Sequence, residues 1–399
     1  MNTIVSKIEK LQPKFEKISR NIYLRAVKDG FLSCMPIIIF SSIFMLFAVI
    51  PNIFDFYWPD NVNDIIMKPY QLSMGLIAVF VSATTARALG TSMNREMGDK
   101  QLNITALMLT SMTGFLLLSS TLIEDGISNG YLGSKGMIPA FLAAFITCNI
   151  YRFCVKRNLT IHLPKEVPPS LSQSFSSIIP FAIANILFWL ADLCIHYLFG
   201  ASLPESIING LTPLFSAADG YIGIGLIYLA MTFLWFIGIH GPSVVEPAII
   251  SIALMNNETN LALLQAGEHA DKILTPGLIN MAAFGGTGAT FVLPFLLMFI
   301  CKSKQLKAVG KTSVVPTMFS VNEPVIFGVP LVLNPNLLIP FLLAPLANVV
   351  LFKFFVEVFG MNSFSYILPW CTPGPLWLII GTGFHWLSFV LCAVILVVD

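Results

Sequence analysis

A histidine, His240, two glutamates, Glu246 and Glu323, and an asparagine, Asn322, stand in strongly apolar sequence, with Trp235 and Trp370 as the aromatic candidates beside them. An imidazole can donate or accept a hydrogen bond, a carboxylate accepts, a carboxamide does both, and an indole offers a flat apolar face. His240, Asn322 and Glu323, with the rings of Trp235 and Trp370, match a neutral sugar, which carries many hydroxyls and apolar ring faces. The segment has few other charges, which fits a neutral ligand better than an ion. A charge at membrane depth costs about 2.5–3.5 kcal/mol on insertion scales, so each of these groups should face protein or a water-filled cavity. The same residue types also suit a proton relay in a proton- or ion-coupled secondary transporter. A lone membrane histidine is, besides, a common structural link between helices.

Other chemistries find no support. Gly285-Gly286-Thr287-Gly288 is not followed by the Gly-Lys-Ser/Thr of a nucleotide-binding loop. The seven cysteines (34, 148, 154, 194, 301, 371 and 392) form no CxxC pair, and they read as buried structural thiols. His162, His269 and His385 lack a carboxylate or cysteine constellation, so no metal site and no cofactor are expected. Asp192 and His196, one helical turn apart, read as a structural pair near a span end. Trp58 and Trp189 read as interfacial belt residues, and residues 268–272 as a solvated or hinge loop.

The elements that must hold the candidate residues are broken helices. His240-Gly241-Pro242 and Asn322-Glu323-Pro324 each end a helical run, because proline lacks the N–H the ladder needs and glycine permits a turn. Non-helical backbone inside a membrane is tolerated where it lines a cavity or is buried in protein, and many transporters bind substrate there. The doublet Glu-Pro recurs at 246–247 and 323–324, which hints at two related re-entrant hairpins.

Composition places these breaks in a bilayer. The chain of 399 residues is 56% hydrophobic and 11% charged, against about 25% charged in soluble domains, and mean hydropathy is +0.81. A net charge of +1 gives no basic face for nucleic acid. Apolar runs of about 18–24 residues select helices over a barrel. Candidate spans lie near 29–50, 71–89, 103–123, 137–155, 175–199, 220–240, 288–301, 330–358 and 375–398. The expected fold is therefore an all-α integral membrane protein.

Lysine and arginine set its orientation. Lys7, Lys10, Lys14, Lys17, Arg20, Arg25 and Lys28 put the N-terminus in the cytoplasm. The loops with Arg87, Arg95 and Lys100, with Arg152, Lys156, Arg157 and Lys165, and with Lys302, Lys304, Lys307 and Lys311 return there. No signal peptide is read at the start. Residues 1–28 are either an amphipathic surface helix or a solvated basic tail.

The strings GIHGPSVVEP (238–247), FGGTGAT (284–290) and SVNEPVIFGVPLVLNP (320–335) resemble the lactose/cellobiose-type enzyme IIC of the bacterial phosphoenolpyruvate:sugar phosphotransferase system. The likeness runs from EKISRNIYLRAVKDGF (16–31) to the C-terminus, and FSAADGY, QAGEHADK and NSFSYILPWCTPGP are most similar to the lactose-specific permease. The resemblance implies a homodimer in the bacterial inner membrane, with about ten transmembrane helices and two re-entrant hairpins. It implies a cytoplasmic segment over 1–28, a dimerising half over 29–215 and a sugar-binding transport half over 216–399. That half would carry one disaccharide, lactose, with cellobiose and diacetylchitobiose as the alternative sugars, by elevator-type alternating access. His240 and Glu323 would hydrogen-bond the sugar, with Glu323 at the 6-hydroxyl that receives the phosphoryl group, and Asn322 and Trp370 beside them. The phosphoryl group would come from a cysteine of a IIB unit. No IIB segment is read here, since the chain stops at Asp399 after an apolar run. The chain is thus expected to bind and translocate sugar as the membrane component of a protein-phosphocysteine-sugar phosphotransferase, with phosphorylation left to IIB.

Overall fold

The computed structural model describes all residues except 1–19, 50, 52–55, 57, 99, 125, 162, 165–166, 239, 330, 332–333, 335–336 and 370–371, and the side chains of 42, 45–46, 49, 169–171, 323 and 327. Most of the segment expected to be amphipathic, 1–28, lies outside the described residues.

The chain is helical almost throughout. In order, the helices are α1 (Ile22–Ser33), α2 (Met35–Val49), α3 (Asp60–Ser73), α4 (Ile77–Met97), α5 (Ile104–Ser119), α6 (Met137–Lys156), α7 (Pro169–Ser176), α8 (Ile178–Phe199) and α9 (Leu203–Asp219). They continue as α10 (Tyr221–Phe236), α11 (Gly241–Gln265), α12 (Pro276–Ala282), α13 (Leu293–Phe299), α14 (Lys304–Met318), α15 (Glu323–Gly328), α16 (Leu338–Phe359), α17 (Gly374–Gly381) and α18 (Trp386–Val398). Between α5 and α6 lies a hairpin of β1 (Leu122–Ile123) and β2 (Gly126–Ile127). Strands of this length cannot span a bilayer.

Four helical stretches, Asp60–Met97, Ser134–Lys156, Ser172–Phe199 and Leu338–Phe359, are long and apolar enough to cross a membrane. A fifth is reached if α9 and α10, bent by 76° at their junction, count as one broken span. Several runs that read as single spans in the sequence are interrupted. The run 29–50 breaks at Cys34, where Pro36 cannot join the ladder and a new helix starts. The run 288–301 becomes helical only at Leu293, after Ala289 at φ +54°. The run 375–398 is two helices, separated where Phe384 takes φ +56°.

The described chain forms two compact units, one of residues 20–41 and 68–212 and the other of residues 42–67 and 213–399. In the first, α1, α4, α5 and α6 pack through small side chains, with Ala86, Ala144 and Cys148 fully buried beside Leu89, Met93 and Leu107. Small residues let helix backbones approach closely where lipid supplies no hydrophobic drive between helices. Hydroxyls then link neighbours: Thr84 Oγ1 donates to Gly30 O (2.8 Å), Ser111 Oγ to Ser82 O (3.0 Å), and Thr110 pairs with Tyr151 (2.7 Å).

The second unit is built on aromatic packing around short helices. Phe352 and Phe364 stack at 4.7 Å with planes 9° apart, and Phe284, Trp377 and Met281 fill the same core. Two extended arms, 268–275 and 360–369, run alongside α11. A row of asparagines on that helix bonds their backbone. Asn256 donates to Leu274 O (3.0 Å), Asn257 to Ser365 O (3.1 Å), and Asn260 to Lys272 O (2.8 Å) and Phe364 O (2.9 Å) while accepting from Lys272 N (2.9 Å). Asp219 accepts from Ile273 N (3.0 Å) and Leu274 N (2.5 Å).

Candidate functional site

The site is assembled at helix ends of the second unit. Helix α10 closes at Phe236, with Gly238 at φ +84° turning the chain. His240 is then the N-cap of α11, in extended conformation with φ −62° and ψ 95°. Its Nδ1 accepts from Ser243 N (3.2 Å) and lies 2.6 Å from Ser243 Oγ. Pro242 follows in the first turn, where its missing N–H would have had no intrahelical partner. Gly241 is required by proximity, since a Cβ there would meet the carbonyl oxygen of Met231. The tight approach holds the start of α11 against α10.

Trp235, in the last turn of α10, is buried, and its indole N–H has no hydrogen-bond partner among the described residues. Its ring lies 4.9 Å from that of the exposed His240, tilted by 54°. The structure thus brings these two candidates together directly.

Asn322 is placed differently. It is buried, and both amide hydrogens are engaged, since Nδ2 donates to Thr287 O (2.8 Å) and to Thr290 Oγ1 (2.8 Å). Thr290 Oγ1 in turn donates to Gly285 O (3.0 Å). Gly286, at φ +109°, leaves the space the carboxamide occupies, because a Cβ there would meet Asn322. Asn322 therefore anchors the glycine-rich loop 284–290 to the start of α15.

Glu323 is the first residue of α15, with Pro324 behind it. Its carboxylate, and the whole of Trp370, lie outside the described residues. Helix α15 is tied to the His240 turn by packing: Ile326 shares one apolar cluster with Leu234, Trp235, Phe236 and Ile237. Phe341, also in that cluster, covers Gly288 of the loop. The three motif segments, 238–247, 284–290 and 320–328, are thereby joined around one set of apolar side chains. Glu246 lies in the second turn of α11 and is half-buried.

The remaining histidines are used locally. His196 pairs with Asp192 at 3.4 Å on α8, His269 bonds Met361 O at 3.0 Å, and His385 caps α18 by accepting from Leu387 N at 3.3 Å. Residues that pattern reading left without a role are Ser243, Thr290 and the asparagine row of α11. The signals were present in the sequence: a serine three positions after the helix-starting histidine, and Asn256, Asn257 and Asn260 on one helical face.

Helices long enough to span, together with broken helices that begin at polar residues, fit the class of integral membrane transporters. Residues 28–345 match the model of the family described as Phosphotransferase system, EIIC, and the chain belongs to that family. It is 53% identical over its whole length to the PTS system lactose-specific EIICB component of Streptococcus mutans, covering 71% of that protein. It is 54% identical, again over its whole length, to the protein of the same name from Staphylococcus aureus, covering 70% of it. Among solved structures it is similar to the transporter ChbC, the IIC component from the N,N'-diacetylchitobiose-specific phosphotransferase system. The TM-score is 0.86 at 26% identity, covering 96% of this chain and 92% of that one. The family match supports the phosphotransferase reading over the ion-coupled one.

Proposed function

We propose that this chain binds and translocates lactose as the IIC permease of a phosphotransferase system in the bacterial inner membrane. The observation that carries the site is the joining of the His240 turn, the loop 284–290 and the start of α15 around one apolar cluster. The two relatives that carry the name lactose-specific support the sugar.

In this reading residues 29–215 form the dimer contact of a homodimer. Residues 216–399 carry the disaccharide across by alternating access, with two re-entrant hairpins among about ten membrane-crossing helices and the N-terminus in the cytoplasm. His240 donates or accepts at the sugar, and Trp235, Trp370 and Asn322 shape the surrounding wall. Glu323 accepts from the 6-hydroxyl and orients it toward the phosphocysteine of a IIB unit. A carboxylate there can also act as general base for phosphoryl transfer.

Disaccharide binding by the purified chain tests this directly. Lactose should bind saturably and more tightly than cellobiose or diacetylchitobiose. His240→Ala and Glu323→Ala should each weaken binding about 10- to 100-fold, the range for hydrogen bonds involving charged or fully used partners. Failure of all three sugars to bind the wild-type chain, or binding indifferent to both substitutions, would remove the proposal. With IIB present, Glu323→Gln should lower phosphorylation even at saturating lactose. Full phosphorylation in that variant would sink the role at the 6-hydroxyl.

A further inference from the structure

Resting on the sugar-binding reading of His240, we infer that Ser243 is a positioning residue that fixes the tautomer of His240, so that the imidazole meets the sugar as a donor from Nε2–H. The argument begins at the helix cap. Helix N-caps are ordinarily Ser, Thr, Asp or Asn, whose side-chain oxygen accepts from a first-turn N–H. In α11 an imidazole nitrogen takes that place: His240 Nδ1 accepts from the backbone N–H of Ser243 at 3.2 Å.

A backbone N–H can only donate. The lone pair must therefore be on Nδ1, and a neutral imidazole has one acceptor nitrogen and one N–H. The proton then resides on Nε2. Ser243 Oγ, 2.6 Å from the same Nδ1, supports this arrangement with its own hydrogen. Protonating Nδ1 would set an N–H against an N–H and undo the cap. The bond made by one ring nitrogen thus decides the chemistry of the other.

The ring is also held in direction. Its Nδ1 is anchored by two groups of Ser243, and its face lies 4.9 Å from the Trp235 ring. Whatever oxygen faces Nε2 is therefore an acceptor. An ionised Glu323 is acceptor-only, so the two residues recognise opposite ends of hydroxyl hydrogen bonding. His240 requires a lone pair on the sugar and Glu323 requires a hydroxyl hydrogen.

The test uses the whole chain labelled with 15N-histidine, with the His240 signals assigned by their loss in His240→Asn. The expected spectrum at neutral pH, without sugar, has an unprotonated Nδ1 and a protonated Nε2. Ser243→Ala keeps the backbone donor but loses the hydroxyl. It should weaken lactose binding about three- to tenfold, with recovery in Ser243→Thr. A proton on Nδ1, an imidazolium at neutral pH, or lactose affinity unmoved by Ser243→Ala would overturn the inference. Absence of sugar binding in the wild-type chain would instead overturn the permease reading, while the tautomer is read from the sugar-free spectrum.

Discussion

The two units solve the same problem in different ways. Backbone N–H and C=O groups within a bilayer must find partners inside the protein. The unit of residues 20–41 and 68–212 does so with long uninterrupted helices, such as α4, α6 and α8, whose ladders satisfy themselves. Its side-chain hydroxyls add links but close no gap, since Ser82 and Thr84 each bond a carbonyl of the preceding turn. The unit of residues 42–67 and 213–399 contains short helices, α12, α13, α15 and α17, with extended arms between them. There, carboxamides and one carboxylate bond the backbone that no helix satisfies. The comparison teaches what the buried Asn and Asp of the second unit are for: a carboxamide can serve both a donor and an acceptor of an unpaired peptide, as Asn260 does, and the Asp219 carboxylate serves two N–H donors.

Substitutions can break that contrast. The largest effect is expected from Gly286→Ala. The new Cβ meets the Asn322 carboxamide, and φ +109° is a conformation that only glycine adopts readily. Loop 284–290 would be displaced from α15, and lactose affinity should fall by more than tenfold in a binding isotherm on the purified chain.

Next in size is Asn260→Ala. It removes the partners of Lys272 N, Lys272 O and Phe364 O at once. Leaving a buried polar group unsatisfied costs about 1–3 kcal/mol, and Ser363 Oγ still bonds Lys272 O at 2.6 Å. The net loss should be about 3–5 kcal/mol, seen as a clear drop in the melting temperature of detergent-solubilised protein. An unchanged melting temperature would mean that the arms are held without the asparagine row.

Asp219→Asn should cost less, about 1.5–3 kcal/mol, because one oxygen remains to accept from Ile273 N and Leu274 N while the charge that strengthens those bonds is lost. The smallest effect belongs to the regular unit. Thr110→Val breaks the 2.7 Å bond to Tyr151 but leaves every helix ladder intact. It should cost about 1 kcal/mol by thermal melting, with lactose affinity unchanged. A Thr110→Val effect as large as that of Asn260→Ala would erase the distinction between the units.

Much of this was legible before any coordinates. Run length and the charge deficit pointed to membrane helices, and proline and glycine beside His240 and Glu323 marked the breaks where α11 and α15 begin. Placing His240 beside Trp235 follows from a short turn between two helices, which the Gly-Ile-His-Gly-Pro string already suggests. The interruptions of the runs 29–50, 288–301 and 375–398 were harder to read, because an apolar composition is the same on either side of a break. Only the φ values of residues such as Ala289 and Phe384 reveal where the ladder stops.

By itself, then, the sequence determined the class of protein, the apolar helices and the identity of the polar residues at the broken segments, because hydropathy and proline chemistry act locally. Tertiary structure decided which of those residues are spent as anchors. Asn322 is spent on loop 284–290, the α11 asparagines are spent on the arms 268–275 and 360–369, and His240 is held by Ser243 at the head of α11. The physical reason is that a hydrogen bond needs a partner within about 3 Å, and partners such as Asn322 and Thr287, 35 positions apart, or Asn257 and Ser365, 108 positions apart, meet only when the arms and loops have closed.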